Sequence, residues 1–143
     1  MRLYVDVDET LLLHDGCCDA TEYIHSFEKV MWDDTFRHSL VRNYPLIDSI
    51  IKWQRGSSSR EVVVWSGGGA EWASLAANTL FKGAIPIAFT GSKRVLFPIL
   101  TSVDWSIDNR EQKERWYLKP FEKVFSPQGF IDYANTKDFQ KNK

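Results

Sequence analysis

The sequence predicts an α/β fold: three layers, with helices covering both faces of a central parallel sheet. Two observations predict it. Apolar runs of strand character alternate with segments of helical spacing, which implies right-handed crossovers and a parallel sheet covered on both faces. Three strand candidates also end on polar residues, Asp6, Ser66 and Asp108. In such sheets ligands bind beyond the carboxyl ends of the strands, so these three could meet.

Leu3-Tyr4-Val5-Asp6-Val7 is a short β-favouring run followed by a polar break. Between Tyr44 and Trp53, apolar residues at 46, 47, 50, 51 and 53 have helical spacing, and Arg55-Gly56-Ser57-Ser58-Ser59 ends the helix. Val62 to Trp65 is a continuous apolar run of the kind found in buried parallel strands. Ser66-Gly67-Gly68-Gly69 turns the chain, and Ala70 to Phe81 reads as a second helix. Ala84 to Phe89 is a third strand candidate, weakened by Pro86. Ser102 to Ile107 is a fourth, with Val103, Trp105 and Ile107 on one face and Asp104 as an edge or surface residue. From Gly129 the pattern is less legible, and Asp132 to Lys143 is polar and expected to be a frayed tail.

At 143 residues the chain suits one domain, 1–143, large enough to bury a core. A net charge of -1 gives no general attraction to nucleic acid or anionic membrane, so a charged polymer would need a local patch. No apolar stretch is long enough to span a bilayer, and the start reaches Asp6 too soon for a signal peptide. Cys17 and Cys18 are adjacent and without a distant partner, which argues against a disulfide framework and for reduced thiols in the cytoplasm.

Asp6 and Asp8, two positions apart at a strand end, can face one cleft if the chain leaves the strand between them. Such a pair is most often only an acidic turn. Hydrolysis of a phosphate ester needs a nucleophile, a proton for the leaving oxygen and relief of charge repulsion. An ionised Asp6 could attack phosphorus without a base, and Asp8 could act as acid and then base. A hard divalent cation, magnesium, would cancel the repulsion between carboxylate and phosphate. After Ser66, three glycines and a helix N-terminus offer close backbone approach and attraction for an anion. No Gly-Lys-Ser/Thr follows, so this is not a Walker loop.

Leu3 to Leu13, an apolar strand followed by Asp-x-Asp-x-Thr and further apolar residues, resembles the first motif of phosphatases of the haloacid dehalogenase (HAD) superfamily. Asp8-Glu9-Thr10-Leu11 with His14 is most similar to the carboxy-terminal-domain phosphatases, where many relatives have Asp-Gly-Thr. The resemblance implies that Asp6 is nucleophile and metal ligand, that Asp8 is general acid/base and binds metal through its carbonyl, and that Thr10 braces the loop. Ser66, with the backbone N–H of Gly67, matches the phosphate-binding second motif. Lys93, 15 residues before Asp108, is similar to the third-motif lysine, with Lys82 as its competitor. Asp108-Asn109 resembles the acidic pair that completes the magnesium site, with Asn in the second place. Which of the two would touch the metal stays open.

The resemblance also implies a three-layer, Rossmann-like HAD fold with a small flap or cap inserted after the first motif. Leu11 to about Asn43 is the only room for one, enough for a flap and a helix or two. It holds His14, His25, His38, Trp32, Asp33 and Asp34. Each alone reads as a surface or packing residue; together they are candidate substrate contacts. Trp32 could stack on a base or sugar, and Arg37 and Arg42 would lie along the approach. The expectation is a magnesium-dependent phosphomonoesterase working through an aspartyl-phosphate, its substrate a nucleotide, sugar phosphate, nucleic-acid end or phosphoprotein. The alternative is a HAD-like domain that binds a phosphorylated ligand or partner without turnover; oligomeric state stays open.

Overall fold

The computed structural model describes residues 1–14 and 40–136. Its centre is a five-stranded parallel sheet built from β1 (Arg2–Asp6), β4 (Glu61–Ser66), β5 (Phe89–Ser92), β6 (Trp105–Ile107) and β7 (Lys123–Phe125). The order is β5-β4-β1-β6-β7. A separate antiparallel ribbon pairs β2 (Leu12–His14) with β3 (Leu40–Arg42). Four α-helices are described: α1 (Tyr44–Arg55), α2 (Ala70–Phe81), the short α3 (Lys93–Leu96) and α4 (Pro127–Ala134). The protein is thus α/β around a parallel sheet. Among the described residues no helix is long and apolar enough to cross a membrane.

β1 is the middle strand, buried along Leu3 to Asp6. Its side chains alternate between two cores, as the pleat requires. Leu3 and Val5, with Val62, Val64 and Ile107, pack against α1, α2 and α4. Tyr4, Val63 and Trp65 pack instead with Leu118 and Phe121. The long helices therefore share one core, and the opposite face is covered by α3 and irregular segments rich in aromatic rings. Cover by helices on both faces was expected; the second layer is thinner. Chain direction explains it. β1, β4 and β5 step one way across the sheet, so right-handed crossovers put α1 and α2 on the same side. From β5 the chain returns past β4 and β1 to β6, and those connections must lie opposite.

Asn43 caps α1 by accepting from Leu46 N at 3.4 Å, while its amide donates to Thr10 O at 3.1 Å. One residue thus starts the helix and ties down the loop after β1. The third strand does not run over 84–89 but begins at Phe89. Pro86 has no N–H to give a ladder; Ala88 N is the first to donate to β4, to Val62 O at 2.9 Å, and paired residues run from Phe89. The fourth strand is also shorter than expected. Val103 lies outside it and is 58% exposed, so only Trp105 and Ile107 of that face belong to β6.

Asp104, read as an edge residue, is buried, and its Oδ2 accepts from Thr101 N at 2.9 Å, closing the turn into β6. β7 and α4 lie in the stretch that the sequence left unread. Ser126 caps α4 by accepting from Gly129 N at 3.0 Å, with Pro127 next to it. Asp132 to Ala134 therefore finish a helix and are not part of a frayed tail; 137–143 lie outside the described residues.

Gly91 in β5 touches the base of α3. A Cβ there would stand 2.9 Å from both Cγ and Cδ1 of Leu96. Gly91→Ala is expected to cost about 1–3 kcal/mol through overpacking, read as a lower thermal midpoint. An unchanged midpoint would show that Leu96 moves aside freely.

Candidate active site

The order of the strands puts a topological switch beside β1: the chain leaves β1 toward β4 and later arrives at β6 on the other side. Ligands bind at such points beyond the carboxyl ends. The register brings Asp6 beside Trp65, Ser66 beside Ser92, and Val5 beside Ile107. Asp6, Ser66, Lys93 and Asp108 consequently emerge along one edge, although up to 102 positions of chain separate them.

Lys93 opens α3 directly after β5, and its side chain is buried. Its Nζ lies 2.8 Å from Asp6 Oδ1 and 2.9 Å from Asp108 Oδ2. The same ammonium sits 4.1 Å from the centre of the Tyr117 ring and 5.8 Å from that of Trp65. Two carboxylates and two π faces thus surround one cation. Burial by itself would lower the Lys93 pKa, but Asp6 and Asp108 outweigh it and raise the value. The Asp6 carboxyl is pushed up to about 6, first by burial. Lys93 draws it down, Asp108 adds repulsion, and hydrogen bonds from Lys93 and Thr10 favour the anion.

Thr10 Oγ1 donates to Asp6 Oδ2 at 2.9 Å. The loop that brings it back folds on one acceptor: Val7 O receives the N–H groups of Thr10, Leu11 and Leu12. Glu9 takes φ 60° there, a left-handed conformation that costs a residue with a Cβ of order 1 kcal/mol. Arg110 N donates to Asp108 Oδ1 at 2.9 Å, orienting the second carboxylate.

Asp8 points elsewhere. Its two oxygens accept from Trp72 Nε1 at 3.1 and 3.2 Å, and Ser66 Oγ lies 3.4 Å from Oδ2. Ser66 is buried, and its hydroxyl accepts from Gly68 N at 2.9 Å. Gly68 is hemmed in, since a Cβ there would stand 3.2 Å from Trp72 Cδ1 and 3.3 Å from Ser66 Oγ. Gly67 is exposed and open on all sides. An open pocket of about 480 Å³ joins Asp6, Asp8, Lys93 and Asn109 to Gly67 and Gly68.

Among the described residues no three His, Cys, Asp or Glu side chains gather as a metal cluster. The donor set nevertheless fits a hard cation. The Asn109 amide places one atom 3.2 Å from both Asp108 Oδ1 and Asp6 Oδ2. As nitrogen, that atom donates to both carboxylates. Turned over, the same amide would bring its oxygen beside the two carboxylates, a set of hard oxygen donors of the kind a divalent cation takes. Octahedral magnesium, with oxygens at about 2.1 Å, spaces neighbouring ligands about 3 Å apart.

Comparison with protein-family models, curated proteins and solved structures finds no match to this chain. The site therefore speaks through its geometry alone.

The structure brings together Asp6, Thr10, Lys93, Asp108 and Asn109, with Asp8, Ser66 and Gly67 at the same edge. Lys82 is exposed at the far end of α2, about 18 Å of helix from Gly69. Arg42 lies in β3, half-buried on the ribbon, and does not line the pocket. Trp32, Arg37, His25, His38, Asp33 and Asp34 lie outside the described residues, as do Cys17 and Cys18. Sequence reasoning missed Trp72 and the pocket wall formed by Arg110, Glu114, Arg115, Trp116 and Tyr117. For Trp72 a signal existed, an indole in the first turn after the glycine-rich loop. For the wall there was none, because it has no periodic pattern.

Proposed function

We propose that the protein is a magnesium-dependent phosphomonoesterase of HAD type, working through an aspartyl-phosphate on Asp6. The observation that carries this is Lys93 Nζ bridging Asp6 and Asp108 at the carboxyl edge, beside the switch in strand order. A buried carboxylate bonded to a cation on one oxygen and a hydroxyl on the other is oriented and ready to attack. Asp6 Oδ attacks phosphorus, the bond to the leaving oxygen breaks, and Asp8 supplies that oxygen with a proton. Asp8 then takes a proton from water as the water attacks the phosphoryl group and frees Asp6. Gly67 offers its N–H to the phosphoryl oxygens, with the N-terminus of α2 close behind the loop. Asp6, Asp108, Asn109 and the Asp8 carbonyl would hold magnesium, which supplies cancellation of charge between carboxylate and phosphate.

One observation favours a second reading, a domain that binds phosphorylated ligands without turnover. Trp72 holds both Asp8 oxygens, and a proton shuttle must let go of at least one. A panel of phosphomonoesters assayed with magnesium and again with a chelator separates the two. Hydrolysis that needs magnesium and disappears on chelation is expected, with calcium a poor substitute because its larger shell misplaces the phosphate. Binding of phosphorylated compounds with no phosphate released would leave only the second reading.

A further inference from the structure

The mouth of the pocket carries features that the proposed chemistry does not use. Trp116 is 55% exposed, one of few large apolar side chains so open among the described residues. Its ring is held from behind, with Phe97 at 4.8 Å and Tyr117 at 5.6 Å, both edge-on. Tyr117 in turn lies 4.1 Å from Lys93 Nζ. A ladder of aromatic rings thus starts at the ammonium that holds Asp6 and runs out to solvent.

Arg110 and Arg115 line the same pocket. Among the described residues neither guanidinium is engaged in a salt bridge, whereas the neighbouring Lys113 pairs with Glu111 at 3.6 Å. Two uncommitted cations and an open π face at the exit from a phosphate site match one kind of leaving group. It carries a planar ring and further negative charge. A nucleotide has both, since every base has a face to stack and each further phosphate is an anion for a guanidinium. A sugar phosphate offers no ring, and a phosphoserine peptide offers neither by necessity.

We propose that Trp116, Arg110 and Arg115 form a leaving-group subsite for a phosphomonoester of a nucleotide, free or at the end of a single strand. The proposal rests on the phosphatase reading for its reaction but not for its binding. Two measurements test it. The first compares kcat/KM on a phosphorylated mononucleotide, a short oligonucleotide phosphorylated at either end, a phosphoserine peptide and glycerol phosphate. Trp116→Ala is expected to lose roughly ten-fold more on the nucleotide substrates than on glycerol phosphate, which has no ring, the scale of one stacked base, with Trp116→Phe recovering most of it. Arg110→Gln and Arg115→Gln should flatten the salt dependence for the oligonucleotide more than for the mononucleotide if the strand is the natural body. Equal losses on all four substrates, or a preference for the peptide, overturn the subsite while the phosphatase stands.

The second measurement is the anisotropy of a labelled phosphorylated oligonucleotide on the Asp6→Asn protein, where no turnover intervenes. Binding weakened by Trp116→Ala supports the subsite even if no substrate is hydrolysed, and then it is the phosphatase reading that fails. Binding indifferent to Trp116 overturns the subsite.

Discussion

Asp6→Asn is expected to lower phosphomonoester turnover at least about a thousand-fold while leaving the fold intact. The substitution keeps the shape of the side chain and an oxygen for Lys93 Nζ, now 2.8 Å from Oδ1. What it removes is the anion that attacks phosphorus. The pH dependence follows from the same carboxyl. Burial pushes Asp6 up to about 6 from an ordinary 3.8, so the nucleophile is ionised only above that range. Without metal the group should titrate near 6; bound magnesium favours the anion, so the wild-type rate with magnesium should fall only at a pH below that.

The sign for stability runs the other way. Between about 4 and 6 the folded state binds more protons than the unfolded chain, so metal-free wild-type protein loses stability as pH rises across that window. Asp6→Asn has no such dependence and should melt no lower than the wild type at neutral pH in chelator. Retention of more than about a tenth of the activity would rule out the covalent mechanism. A steep fall in melting temperature would mean that the lost activity reports unfolding.

Lys93→Met should have the largest combined effect on stability and rate. Among the described residues the ammonium is the only cation between Asp6 and Asp108, whose side chains are 6% and 0% exposed. Removing it leaves two buried carboxylates facing each other, and breaking a buried pair in this way costs about 3–5 kcal/mol. The raised Lys93 pKa contributes stability that is present at neutral pH and lost only in the alkaline range. In the variant the carboxylates can escape repulsion only by sharing a proton, which pushes Asp6 higher still. The deficit should therefore be widest near pH 8 and narrow below about pH 6, as urea unfolding at the two pH values would register. Turnover at neutral pH should fall at least about a hundred-fold, because the nucleophile is then held protonated. A variant with wild-type stability at both pH values would show that Lys93 is a bystander.

Much of this site was legible in the sequence because it sits at strand ends. A strand buried on both faces announces itself as an apolar run, and the polar residue that stops the run is the one that reaches the carboxyl edge. Asp6, Ser66 and Asp108 were found that way, and α2 was read from Ala70 to Phe81 as observed. Short elements were less legible. β7 has three residues, too few for any periodicity, and Asp104 resembles a surface residue until its bond to Thr101 N is seen. The start of β5 was misplaced because Ala84 to Phe89 is as apolar as a strand, and only pairing with β4 shows where the ladder begins.

The sequence by itself determined the alternation of strand and helix, the residues that end three strands and the carboxylate pair after the first. These depend on local composition and on spacing along the chain. Only the tertiary structure decided that Lys93, and not Lys82, joins Asp6 to Asp108, that Trp72 takes hold of Asp8, and that Tyr117 and Trp116 extend the site outward. Apart from that of Trp116 with its neighbour Tyr117, those contacts join residues well separated in the chain, and nothing in their own neighbourhoods favours them. Trp72 reaches Asp8 because β4, which leads into α2, lies beside β1; the others exist because the chain reverses its direction across the sheet after β5, bringing the segments beyond β5 and β6 back to the edge where β1 ends.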